Sequence, residues 1–207
     1  GTALSTPNTL ILNDATGIEV GDTIYGPGIG SDGAVINSIS TLPGSVNLLS
    51  RGGVTKIGDG VYQKTSGFWN WDADAYTTTG YTTNVYASAY PTNTTSYLMF
   101  GLNTDPTTNA SYASLDYAWY MAYGNAYIYE NGGYVGSYGA YYTTTEFRVE
   151  YDGTNVRYYK DGSLQRTVAR VNNGLQLCFD SSFYSIGAGL KRVKFGDLTA
   201  SITNVSR

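Results

Sequence analysis

Histidine is absent from the 207 residues. That removes the commonest general base, the commonest zinc ligand and every histidine-dependent triad. A single cysteine, Cys178, rules out a disulfide within the chain. It sits in the apolar run Leu175, Leu177, Phe179 and reads as a small buried hydrophobe. Proline occurs five times and charged residues make up only 14%. The formal net charge is −4, without a basic run, so nucleic acid is not an expected partner. No stretch reaches the roughly 18 apolar residues of a membrane span, so membrane insertion is not expected either. No leader is visible, but the chain opens at Gly1 and reads as a piece of a longer protein.

Thr, Ser, Asn, Gly and above all Tyr fill the space left by charge; tyrosine occurs 21 times. Tyr and Thr favour strands and Gly marks turns. No long 3.6-residue period is present, so the composition is that of an all-β protein. The clearest pattern runs from Thr143 to Val168. Phe147, Val149 and Tyr151 alternate with Arg148, Glu150 and Asp152, then Val156 and Tyr158 with Arg157 and Tyr159. A two-residue turn at Asp152-Gly153 would oppose Arg148 to Arg157. A four-residue loop, Asp152 to Asn155, instead opposes Glu150 to Arg157 and Val149 to Tyr158, which is attractive. A three-residue loop at Lys160-Asp161-Gly162 then sets Tyr158 opposite Leu164. The expectation is a three-stranded meander, wet on one face, with a second sheet covering its apolar face.

Two units are expected. Residues 1–56 hold short strands (Thr9 to Leu12, Gly17 to Tyr25, Ala34 to Ser40, Ser45 to Ser50) around the loop Gly26 to Gly30, as a small β-barrel or sandwich spacer. Arg51 to Gly53 and Lys56 to Gly60 read as a linker. Residues 57–207 hold about a dozen short strands, the pattern of a two-sheet sandwich.

Both units resemble known families. Ala15 to Ile39, ATGIEVGDTIYGPGIGSDGAVINSI, is similar to a small β module of phage tail proteins and secreted bacterial proteins, which implies a spacer or shaft. Leu115 to Gly139, Glu146 to Leu164 and Leu177 to Gly196 resemble a concanavalin A-like jelly-roll domain of the laminin-G and SPRY-like kind, found in phage tail fibres, spikes and bacterial surface proteins. The resemblance spans about Gly60 to Phe195. It implies an antiparallel jelly roll, a fold that carries lectins, hydrolases and adhesion modules alike.

Related glucanases carry Glu-x-Asp-x-x-Glu on one strand. Glu150 and Asp152 match the first spacing, but Asn155 stands at the third place. Glu146 and Glu150 share a face roughly 13 Å apart, too far for either glycosidase geometry. A pair across the sheets, such as Glu150 with Asp180, stays open. Catalytic residues are therefore expected to be absent. No cofactor is expected, with calcium as the alternative, held by Asp72 and Asp74 or by Asn103, Asp105 and Asn109. Tyr117, Trp119 and Met121 alternate with Ala118, Tyr120 and Ala122, so both faces of that strand carry rings. Surplus rings suit sugar stacking or protein contact. The expected ligand-binding set is Trp69, Trp71, Tyr81, Tyr90, Tyr138, Tyr141 and Tyr142, with Asp72, Asp74, Asn103 and Asp105, at one sandwich end or on an exposed face. The expected function is a non-catalytic module that binds a host surface glycan, as the receptor-binding part of a phage tail fibre or spike. It would be virion-borne or at the cell surface, and a homotrimer. The alternatives are a structural virion decoration or filament subunit and, third, a polysaccharide hydrolase or lyase.

Overall fold

The computed structural model describes residues 46–198 together with two short strands, β1 (Thr23–Ile24) and β2 (Ala34–Val35). The chain divides into two compact units, Gly1–Pro43 with Ser201–Arg207, and Gly44–Ala200. In the first, β1 pairs antiparallel with β2, Thr23 opposite Val35. The strand expected at Thr9 to Leu12, the glycine-rich loop at Gly26 to Gly30 and the closing strand at Ala200 to Val205 lie outside the described residues.

The second unit runs through β3 (Leu49–Arg51), β4 (Val54–Gly58), β5 (Val61–Lys64), β6 (Asp74–Tyr76), β7 (Val85–Pro91), β8 (Tyr97–Asn103), β9 (Tyr117–Ala122), β10 (Asn125–Glu130), β11 (Gly133–Ala140), β12 (Phe147–Tyr151), β13 (Asn155–Lys160), β14 (Ser163–Ala169), β15 (Cys178–Phe183) and β16 (Gly189–Asp197). One sheet has the order β11-β10-β9-β8-β15, the other β14-β13-β12-β7-β16-β5-β4. All pairings are antiparallel. The β3–β6 ribbon continues the five-stranded sheet past β15, through the Ala73–Phe183 bridge.

Residues 49–58 correct the expected tail of the spacer and its linker. They form β3 and β4, which pair with β6 and β5. Gly52 and Gly53, both at positive φ (67° and 88°), make a turn between strands, not a tether. Strand β4 is an edge with one buried side chain, Val54, so its alternation leaves almost no apolar trace.

The meander forms as β12-β13-β14. Glu150 faces Arg157 and Val149 faces Tyr158, the register expected from charge. Each charge finds a closer partner: Glu150 pairs with Arg148 (3.0 Å) and Arg157 with Asp152 (2.6 Å). The second turn differs from expectation. Asp161 and Gly162 both take positive φ (48° and 74°), a two-residue turn whose twist matches the strands. Lys160 therefore opposes Ser163, Tyr159 opposes Leu164, and a bulge carries Arg166 opposite Tyr158. Leu164 is left exposed, while Arg166 is paired through Nε and Nη2 with both Glu130 oxygens of the other sheet (2.8 and 2.9 Å).

The two sheets close on one core. Phe100, Leu102, Trp119, Met121 and Ile128 meet Phe147, Val149, Tyr151, Tyr158 and Phe195. Trp119 is fully buried and its Nε1–H donates to the Arg148 carbonyl on the opposing sheet (3.1 Å), so its one polar atom is satisfied. Central β8 carries Gly101, where a Cβ would sit 1.8 Å from the Tyr117 carbonyl oxygen. Among the described residues no helix is long and apolar enough to cross a membrane.

Candidate functional site

Strand parity decides which rings leave the core. On β8, Leu98, Phe100 and Leu102 point inward, so Tyr97 and Met99 point outward. Cross-strand pairing continues the outward row from Met99 to Tyr120 to Tyr127, with Tyr129 beside Tyr134 in the next row. Three irregular segments add rings: Trp69 and Trp71 from the β5–β6 loop, Tyr112 from a single 3-10 turn before β9, and Tyr184 just after β15.

These rings touch in one network. Trp71 contacts Tyr112, Tyr120 and Tyr184, with centroids 5.1, 5.8 and 5.4 Å apart. Tyr120 contacts Tyr97, Tyr127 and Tyr129. Trp69, Tyr123 and Tyr134 form the outer margin. Among the described residues the network joins two tryptophans and eight tyrosines outside the main core. At its centre Trp71, Met99, Tyr112, Tyr120 and Tyr129 line a hollow of about 120 Å³. Burial holds the Tyr120 and Tyr129 hydroxyls above the ordinary tyrosine range, reinforced by neighbouring tyrosines. They stay protonated at neutral pH and can donate as well as accept.

Two cations, one of them buried, hold this face in shape. The Lys64 ammonium is fully buried. It donates to the Asn70 carbonyl (2.8 Å), Asp72 Oδ1 (2.7 Å) and the carbonyls of Phe183 and Tyr184 (both 3.2 Å). It thereby ties the tryptophan loop to the segment that carries Tyr184. Arg51 does the same for the 104–114 segment. Its Nε donates to Asp74 Oδ1 (2.8 Å), its Nη2 to Asp74 Oδ2 (2.6 Å) and the Pro106 carbonyl (2.9 Å), and its Nη1 to the Thr107 carbonyl (3.0 Å).

These contacts reassign most of the expected ligand-binding residues. Asp74, Asn103 and Tyr141 are buried, at 0%, 0% and 3% exposure, and cannot meet a ligand from outside. Asp74 belongs to Arg51; Asn103 Nδ2 donates to Asp180 (2.8 Å). Tyr141 packs on Phe147 and its hydroxyl is pushed up to about 12 by burial. Tyr138 lies edge-on to Trp119 (5.6 Å). Tyr81 packs on Phe195 and Tyr90 lies under Arg192. Asp72 serves Lys64, Asp105 accepts from Thr108, and Tyr142 is exposed away from the network. Only Trp69 and Trp71 join the aromatic face. Tyr97, Tyr112, Tyr120, Tyr129 and Tyr184 were not expected as a site. The alternation of Tyr120 and Tyr129 with core residues was a visible signal, but parity alone does not say which set faces out.

Of the two oxygen-rich stretches, the one at Asp72 and Asp74 already holds side-chain cations. The Lys64 ammonium engages Asp72 and the Arg51 guanidinium engages Asp74, so these two carboxylates have separate cations of their own. Among the described residues no three His, Cys, Asp or Glu side chains cluster. Glu150 and Asp180 form no catalytic couple, because they lie on opposite outer faces of the sandwich: each alternates with inward residues, Val149 and Phe179.

Asp180 is itself buried, and desolvation raises its carboxyl well above the ordinary 3.8. The folded chain then binds this proton more tightly than the unfolded chain does. The resulting stability is full below 3.8 and is lost as pH rises through the raised value. Asp180→Asn is expected to melt several degrees above the parent at pH 7, with the gain vanishing towards pH 4. A melting difference that stays constant across this range would show the carboxyl to be ionised throughout.

No family model matches the sequence, and neither does any curated protein. Solved structures do match. The exoplasmic/lumenal domain of VIP36 in its Ca2+/Man3GlcNAc-bound form is 8% identical, with TM-score 0.52 over 75% of this chain and 85% of that one. The carbohydrate-binding module CBM66 from Bacillus subtilis is 11% identical, with TM-score 0.50 over 72% and 95%. The SPRY domain of human HERC1 is 17% identical, with TM-score 0.50 over 73% and 96%. At such identities the likeness is one of fold: the 44–200 unit is an all-β, antiparallel jelly-roll sandwich of the concanavalin A-like kind.

Proposed function

We propose that this chain is a non-catalytic carbohydrate-binding module whose ligand lies against the aromatic face of the five-stranded sheet. The contiguous ring network outside the core carries this reading. Its central rings pack on a small second apolar cluster of Met99, Leu115 and Ala118, but Trp69, Tyr123 and Tyr134 are left exposed at the margin, which that packing does not require. Ring faces stack on the C–H faces of sugars, and the tyrosine hydroxyls supply donors and acceptors at the rim. The fold likeness to a carbohydrate-binding module and to a lumenal domain caught with an oligosaccharide supports it. The opposed placement of Glu150 and Asp180 supports the non-catalytic part.

The finer reading is that the module is the receptor-binding part of a phage tail fibre or spike, virion-borne and trimeric, gripping a host surface glycan. It rests on the sequence resemblance of residues 115–139, 146–164 and 177–196. The test is binding of the full chain to an array of bacterial surface glycans, with release of reducing sugar measured in parallel. Binding without release is the expected result. Silence across the array, with sedimentation showing a large assembly that quenches the exposed tryptophans, would establish the structural-subunit alternative instead.

A further inference from the structure

A second depression, away from the aromatic face, lies where the β10–β11 turn, the start of β9 and the segment after β14 meet. Its volume is about 300 Å³, and its lining includes Thr104, Asp116, Tyr117, Asn131, Arg170 and Asn173. That is the lower bound for small-molecule sites. It shares no lining residue with the aromatic hollow.

Its two charges are held apart. Asp116 Oδ2 accepts from Thr104 N (2.9 Å) and Oγ1 (2.8 Å), and no cation lies within 4 Å of the carboxylate among the described residues. The Arg170 guanidinium carbon sits over the Tyr151 ring (4.7 Å from its centroid), with Nη2 donating to Asn173 Oδ1 (3.3 Å). Its Nη1 is buried without a partner. A carboxylate and a guanidinium on one small cleft would gain by pairing directly. Here each is fixed by its own neighbours instead: Thr104 holds one, Tyr151 and Asn173 hold the other. Tyr117 also lines the cleft; burial holds its hydroxyl above the ordinary tyrosine range, with Arg170 lowering and Asp116 raising its pKa.

We infer that this cleft is a second ligand site, for a neutral polyhydroxylated ring that bridges Asp116 and Arg170. An anion meets the Asp116 carboxylate and a cation meets Arg170, so each is opposed by one wall. A hydroxyl satisfies both walls, donating to the carboxylate and accepting from the guanidinium. Asn131 and Asn173 add amide groups of both polarities. The inference does not depend on the aromatic face having a sugar ligand.

The experiment follows the side-chain amide resonances of Asn131 and Asn173 in the full chain. The probes are methyl α-mannoside, methyl β-galactoside and methyl α-glucoside, with sodium glucuronate as the anionic counterpart. At least one neutral glycoside is expected to shift both amides saturably. Arg170→Gln and Asp116→Asn should each weaken this about ten- to hundred-fold, the loss of a hydrogen bond to a charged group. Trp71→Ala, at the other site, should leave it unchanged. Because Asp116 also caps Thr104, near-UV dichroism confirms the fold, and Arg170→Gln is decisive if Asp116→Asn is altered. Shifts with glucuronate alone, shifts that survive Arg170→Gln, or no shift with any neutral glycoside would each overturn the inference.

Discussion

Replacing Trp71 with alanine is expected to weaken glycan binding about thirty-fold, the effect of losing a central aromatic anchor of about 2 kcal/mol. Trp71 closes the hollow over Met99 and contacts three other rings, so its removal takes away both a stacking surface and the wall that shapes it. Tyr120→Ala should act similarly, since Tyr120 joins the rings of β8 to those of β10. Tyr142→Ala is the informative control. Its ring is 70% exposed but has no neighbour in the network, and binding should not change. Titration calorimetry with whichever glycan the array identifies gives the ratio. Equal losses for Trp71→Ala and Tyr142→Ala, or no loss for either, would remove the aromatic face as the site.

Arg51→Ala is expected to cost about 3 kcal/mol, which lowers the melting temperature by about 6–12 °C in a chain of this size. The cause is what it leaves behind: Asp74 is fully buried and would have no cation. The figure is the lower end for a broken buried pair because the guanidinium is itself a third exposed. The carbonyls of Pro106 and Thr107 lose their donor at the same time, so residues 104–114 should gain hydrogen exchange. Arg51→Ala with Asp74→Asn should recover part of the loss, because no charge then remains unpaired. A melting point within about 2 °C of the parent for the single variant would mean that Asp74 is neutral and needs no partner.

Much of this architecture can be read from the residues, for definite reasons. The first meander turn follows from charge, since only one register opposes Glu150 to Arg157. The second does not, because a two-residue and a three-residue loop both use the left-handed Gly162, and the bulge that distinguishes them has no residue signature. Strand β4 is hidden because an edge with one buried side chain reads like a linker. The candidate site was legible as an excess of rings and in Trp69 and Trp71, but not in its other members. Trp71 comes from a segment some forty residues before the one that carries Tyr112 and Tyr120. Nothing local brings them together; the sheet order and the Lys64 and Arg51 contacts do. For the same reason Asp74 and Asn103 looked like ligands, since a buried polar side chain and an exposed one have the same letter.

Arg51 is joined to the backbone, so the positive charge that organises the loop beside the aromatic face cannot diffuse away. At this position a chelator has nothing to extract, and dilution does not empty it. Sheltering from solvent also blunts the influence of salt on the contact with Asp74. A protein built this way keeps the loop beside its aromatic face shaped by a charge of its own.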